Sequence, residues 1–142
     1  MPEPARIRVL PPTVPGNNAT VTLFDSTVTF KKMGLATHNV GRVKFSFPGL
    51  SQPSAASGLI GYVSGDGGTN WYQSTMSASG SSTSLPATVP ADTGTDNAAY
   101  DVYVGCYADV KFTFTAAATA PSAATWAMVG IFIEIGNVSS GE

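Results

Sequence analysis

Between residues 42 and 47 apolar and polar positions alternate strictly, with Val43, Phe45 and Phe47 on one side and Arg42, Lys44 and Ser46 on the other. A period of two marks a strand with one buried face. Residues 109–115 repeat the device, setting Val110, Phe112 and Phe114 against Lys111, Thr113 and Thr115. Both segments are predicted to be half-buried antiparallel strands. Further runs rich in Val, Thr, Phe and Ile at 21–24, 28–32, 59–64, 71–77 and 100–104, separated by Gly, Ser, Asn, Asp and Pro, predict additional strands. The last run, 126–135, has Ala127, Val129, Ile131, Ile133 and Ile135 on one face and Trp126, Met128, Gly130, Phe132 and Glu134 on the other. Because both faces are apolar at its start, this strand is expected to lie centrally or to carry a subunit contact, with Trp126, Met128 and Phe132 as the oligomer interface.

About eight such strands, with few helical signals and no repeat of fixed period, predict an all-β fold: a single antiparallel β-sandwich or jelly roll over residues 20–142. Residues 1–19 differ, because they hold Pro2, Pro4, Pro11, Pro12 and Pro15. Proline fixes φ and removes backbone donors, so this segment is expected to be an extended, poorly paired arm that adds little to the stability of the domain. Residues 50–57 and the Ser-, Thr-, Gly- and Ala-rich stretch 79–99 are expected to be loops.

The chain of 142 residues is long enough for one ordinary core. A single cysteine, Cys106, excludes an intrachain disulfide. The N-terminus lacks the apolar run of a signal peptide, and no stretch reaches the ~20 residues of a membrane span, which points to a soluble protein made in the cytoplasm, with no membrane partner. Charged residues make up only 11% of the chain, against roughly 25% in an average domain. They are unevenly placed: six of the seven basic residues precede residue 45 and face only Glu3 and Asp25 there, whereas Lys111 stands alone against seven acidic residues beyond it. Such an asymmetry brings the two halves together, pairs neighbouring copies head to tail, or merely scatters over the surface. No basic cluster with interleaved aromatics favours a nucleic-acid partner.

Residues 64–71 read SGDGGTNW, placing Asp-Gly-Gly between two strands. Glycine supplies the positive φ of a tight hairpin, and the carboxylate accepts bonds from turn donors. Ser64, Asp66, Gly68 and Trp71 match the S-x-D-x-G-x-x-W pattern of the Asp-box, which in sialidases and other propellers is a repeated structural hairpin remote from the active site. A single copy implies an architectural hairpin, and one carboxylate offers too few oxygens for calcium. Catalytic material is sparse. His38 is the lone histidine, in the sequence ATHN; Cys106 sits in VGCY as a small buried hydrophobe; Asp101 and Asp109 have no spacing that pairs them. No nucleophile elbow, phosphate loop or paired metal ligands occur, so no enzyme activity and no cofactor are expected.

The proline-rich arm, the Thr- and Ala-rich sandwich pattern, the GYVSGDGGTNWY hairpin and the apolar final strand ending IFIEIGNV resemble the decoration, or cement, proteins of tailed-bacteriophage heads and related small phage virion proteins. That resemblance implies a non-enzymatic virion protein on the outer capsid surface, a trimer or other small homo-oligomer that binds and stabilises the assembled shell. Its partner would be the major capsid protein. The arm would dock on a capsid subunit, with Arg6 and Arg8 meeting acidic groups while Ile7, Val9 and Leu10 fill a groove or extend a sheet. The alternative is a carbohydrate- or receptor-binding module of a phage fibre, spike or secreted protein, with Trp71, Tyr72, Tyr100, Tyr103 and Tyr107 as its aromatic platform.

Overall fold

A computed structural model describes residues 6–32, 40–47, 58–88, 98–104, 109–117 and 120–135. His38, Cys106, Tyr107, the segment 50–57 and the stretch 89–97 lie outside the described residues. The described chain forms an all-β sandwich of two antiparallel sheets. In chain order the elements are β1 (Arg6–Val9), β2 (Thr20–Asp25), α1 (Ser26–Lys32), β3 (Val40–Phe47), β4 (Gly58–Ser64), β5 (Tyr72–Ser74), β6 (Met76–Gly80), β7 (Ser84–Leu85), β8 (Ala87–Thr88), β9 (Ala98–Tyr103), β10 (Asp109–Thr115), α2 (Ala123–Trp126) and β11 (Gly130–Ile135). One sheet runs β1-β11-β3-β9-β6-β7, the other β2-β10-β4-β5 with β8 beside β4.

The two strands with the clearest alternation sit near the middle of opposite sheets and interlock. Phe45 of β3 meets Phe112 of β10 edge-on with ring centroids 5.0 Å apart, and Phe47 stacks on Phe114 at 5.4 Å. Tyr100 joins from β9 against Phe47 at 5.9 Å, its hydroxyl pKa raised by burial. Val43, Leu59, Val102, Val110, Ile131 and Ile133 complete this core. On β2 the register against β10 shifts between Phe112 and Thr113. The extra residue of that bulge lets Leu23 and Phe24, neighbours in sequence, both be buried. Thr113, which alternation puts on the outer face, is buried all the same.

Four expectations from the pattern are corrected. Residues 28–32 belong to helix α1, not a strand: the Asp25 carboxylate accepts bonds from the Thr27 N–H at 2.9 Å and hydroxyl at 2.6 Å, turning the chain into a helix where β-branched composition favours extension. Residues 71–77 are not one strand, because the chain crosses between sheets at Thr75, with β5 in one and β6 in the other. The start of the expected 79–99 loop completes β6 and forms β7 and β8, strands too short to leave a periodic signal. Strands therefore outnumber the eight expected.

The fourth correction concerns Trp126. Residues 123–126 form a helical turn, whose N-cap Ser122 accepts the Thr125 N–H at 3.2 Å. The strand begins only at Gly130. The turn points Trp126 inward: it is 2% exposed, packs on Phe114 at 5.1 Å and donates its indole N–H to the Pro12 carbonyl at 2.7 Å. Trp126 is a core residue rather than an interface residue.

That contact also ties down the N-terminal segment. Arg6–Val9 pairs antiparallel with β11, Ile7 and Val9 pack against the core, the Asn18 N–H reaches the Ala117 carbonyl at 3.0 Å, and the Asn17 side chain accepts the Ala120 N–H at 2.8 Å. The described part of the proline-rich segment is thus an edge strand and a strap, not an unpaired arm. Trp126→Ala is expected to cost about 3–5 kcal/mol of stability in chemical denaturation, and Trp126→Phe less. A loss below about 1 kcal/mol for Trp126→Ala would contradict the burial of this ring.

Candidate docking surface

Pairing in register builds two cross-strand rows on the outer face of the six-stranded sheet. One runs Arg6, Glu134, Arg42, Tyr103 across β1, β11, β3 and β9; the other runs Arg8, Phe132, Lys44, Asp101, Ser79 across the same strands and β6. Directly opposed side chains on one face are close enough to interact. Arg6 Nε lies 3.4 Å from Glu134 Oε2. Arg42 grips Asp101 with two donors, Nε at 3.2 Å from Oδ1 and Nη2 on Oδ2, while its guanidinium covers the Tyr103 ring at 4.7 Å. Lys44 Nζ stands 4.0 Å from Asp101. Each of these ion pairs joins the basic N-terminal stretch to the acidic remainder, so here the charge asymmetry closes within one molecule.

The partner-binding candidates are distributed along β1 by its alternation. Arg6 and Arg8 point outward and are exposed, Ile7 and Val9 are half-buried against the core, and Leu10 just beyond is 77% exposed. Of the three interface candidates, Met128 is 62% and Phe132 39% exposed, whereas Trp126 lies in the core.

The Asp-Gly-Gly hairpin forms as expected between β4 and β5, with Val63 opposite Tyr72. Asp66 Oδ1 accepts the Ser64 hydroxyl at 2.7 Å and the Asn70 N–H at 2.9 Å, and Oδ2 takes the Asn70 side-chain amide at 2.7 Å. Ser64 Oγ in turn accepts the Gly68 N–H at 2.9 Å. Gly68 has φ +95°, and a Cβ there would come within 3.2 Å of Thr27. The Asn70 N–H, the Ser64 hydroxyl and the Asn70 amide together hold the Asp66 carboxyl down at about 2, from an ordinary 3.8. Trp71 is half-buried, and the Lys111 ammonium lies over its ring at 4.8 Å and over Tyr62 at 5.2 Å.

Among the described residues, the members of the proposed aromatic platform do not share one face. Tyr100 is in the core, Trp71 and Tyr72 belong to the five-stranded sheet with its hairpin, and Tyr103 lies under Arg42 on the opposite sheet. Asp101 and Asp109 are likewise divided between the two sheets, on β9 and β10. Among the described residues no group of three His, Cys, Asp or Glu side chains is placed to hold a metal, and no helix is long and apolar enough to cross a membrane. Alternation alone puts Arg42 and Lys44 on an outer face. Their partners Asp101, Glu134 and Tyr103 follow only from strand order, which local sequence does not encode.

No protein-family model, curated protein or solved structure matches this chain.

Two outcomes test the hairpin. Because the folded-state pKa of Asp66 is depressed, its contribution to stability is present above pH ~4 and fades as pH falls toward 2. A carboxylate NMR titration should place its midpoint near 2, and an unshifted midpoint would contradict the bonding described. Gly68→Val should cost about 1–3 kcal/mol from positive-φ strain, seen as a lowered Tm.

Proposed function

We propose that the chain is a non-enzymatic virion structural protein that binds an assembled capsid shell from outside and stabilises it, with the major capsid protein as its partner. One observation carries the reading. β1 is an edge strand whose inner side chains, Ile7 and Val9, fix it to the sandwich, while Arg6, Arg8 and Leu10 stand exposed along it. An edge strand held rigidly by its own core turns alternate backbone donors and acceptors outward, and so loses little entropy when a partner strand is added. A stiff, preformed contact of this kind suits the stabilisation of a shell, because little ordering entropy is lost on docking. The resemblance of the arm, hairpin and final strand to phage decoration proteins points to the same role, and self-association into a trimer or other small oligomer goes with it. Glycan binding has less support, since the described aromatic side chains that would form its platform fall on different faces or in the core.

Cosedimentation with empty shells lacking the protein tests the proposal. Deleting residues 1–19 is a poor probe, because it removes a paired strand and the Trp126 acceptor and should lower Tm. The variant Arg6→Ala with Arg8→Ala keeps β1 and should weaken shell binding by at most about thirtyfold, since exposed ion pairs contribute ~0–1 kcal/mol each. High salt should reproduce that loss. Failure of the wild-type protein to pellet with shells at low salt would overturn the assignment.

A further inference from the structure

The row Arg8, Phe132, Lys44 crosses three adjacent strands and places an aromatic residue between two basic ones. Arg8 has no ion pair among the described residues, and the Lys44 side chain is 50% exposed and shares Asp101 with the two-pronged grip of Arg42. Arg6 and Arg42 are engaged by Glu134 and Asp101. Arg8 and Lys44 are therefore the cations with charge to offer. Strands lie ~4.8 Å apart, which sets the two Cα positions about 10 Å apart.

The ring itself lies low. A Cβ built on Gly130 would fall 2.8 Å from the Phe132 ring, so the side chain folds along β11 over the bare glycine instead of standing out from the sheet. Two shallow hollows flank it. One of about 250 Å³ is bounded by Arg6, Lys44 and Glu134, the other of about 290 Å³ by Lys44, Ser46, Ser79, Ala99 and Asp101. Glu134 is held by Arg6 and Asp101 by Arg42, so the row from Arg8 through Phe132 to Lys44 suits a ligand that carries apolar groups between two anions.

We propose that this face receives an acidic amphipathic α-helix of a protein partner, laid across the strands. Carboxylates at helix positions i and i+7 would meet Arg8 and Lys44, with apolar side chains at i+3 and i+4 in the hollows beside Phe132. The spacing matches a helix most closely: seven residues rise about 10.5 Å, whereas same-face residues of an extended chain are separated by about 7 or 13–14 Å. A second copy docked by the same face would bring Arg8 and Lys44 toward like charges. A nucleic acid would leave Phe132 without an apolar partner.

This inference rests on the reading of the chain as a docking protein, and its test separates the two. The probe is a short stapled helix with Glu at i and i+7 and Leu at i+3 and i+4, followed by fluorescence anisotropy at low salt. One control carries Lys in place of both Glu residues; a second moves one Glu from i+7 to i+5. Saturable binding is expected for the first peptide only, weakened at least about tenfold by Arg8→Glu with Lys44→Glu and by Phe132→Ala. The double charge variant changes exposed positions alone, so its fold should persist even if Phe132→Ala disturbs β11. Absence of saturable binding, equal binding of the i+5 control, or indifference to the double charge variant would overturn the proposal. So would sedimentation velocity showing a dimer that Phe132→Glu abolishes while the helix fails to bind, which would assign the face to a second copy. If the helix binds but wild-type protein does not pellet with shells, the site stands and the capsid assignment falls. If shells bind and the helix does not, the capsid assignment stands and the helix site falls.

Discussion

The structure depends on four phenylalanines. Phe45 and Phe47 leave β3 on the same side, as do Phe112 and Phe114 on β10, and the two pairs meet across the gap between the sheets. Aromatic pairs in such edge-on and stacked arrangements add about 0.5–1.5 kcal/mol each beyond the area they bury. A period of two then determines everything outside: with Phe45 inward, Arg42 and Lys44 must face out, and with Phe112 inward, Lys111 must. A one-residue slip of β3 would bury two cations without partners, so the register is strongly specified.

The two outer faces acquire different chemistry from that constraint. On the six-stranded sheet β1, β11, β3 and β9 bring four basic residues together with Glu134 and Asp101, around Phe132. On the five-stranded sheet Lys111 is covered by Tyr62 and Trp71, its charge already placed over two rings. Among the described side chains, the cations that remain available, Arg8 and Lys44, therefore lie on one side of the molecule, and the edge strand that displays Arg8 is fixed there by Ile7, Val9 and the Pro12 contact to Trp126.

Much of this is legible in the sequence where a signal is local. The inward faces of β3 and β10 follow from alternation, and the β4–β5 hairpin follows from Asp66, Gly67 and Gly68, whose required φ only glycine readily adopts. What cannot be read depends on distant partners. Helix α1 has strand-like composition and is decided by the Asp25 carboxylate and by Ser26, whose hydroxyl accepts the Val110 N–H at 3.0 Å. Trp126 is rotated inward by a single helical turn that Ser122 caps, and its indole N–H seeks a carbonyl 114 residues away. The strand character of Arg6–Val9 depends on β11, which prolines nearby conceal. The docking surface is half visible for the same reason: its basic residues lie in one alternating run and one arm, while the rows that organise them arise only when β1, β11, β3 and β9 become neighbours.

In the proposed role, a stiff sandwich with a fixed edge and a basic face with an apolar centre clamps a large, repeated surface. The most direct test of that account is amide hydrogen exchange on the protein free and bound to empty capsid shells. The account predicts that slowed exchange on binding is concentrated in β1, β11 and β3, with the hairpin at Asp66 unchanged. Protection confined to the hairpin and the five-stranded sheet would contradict it.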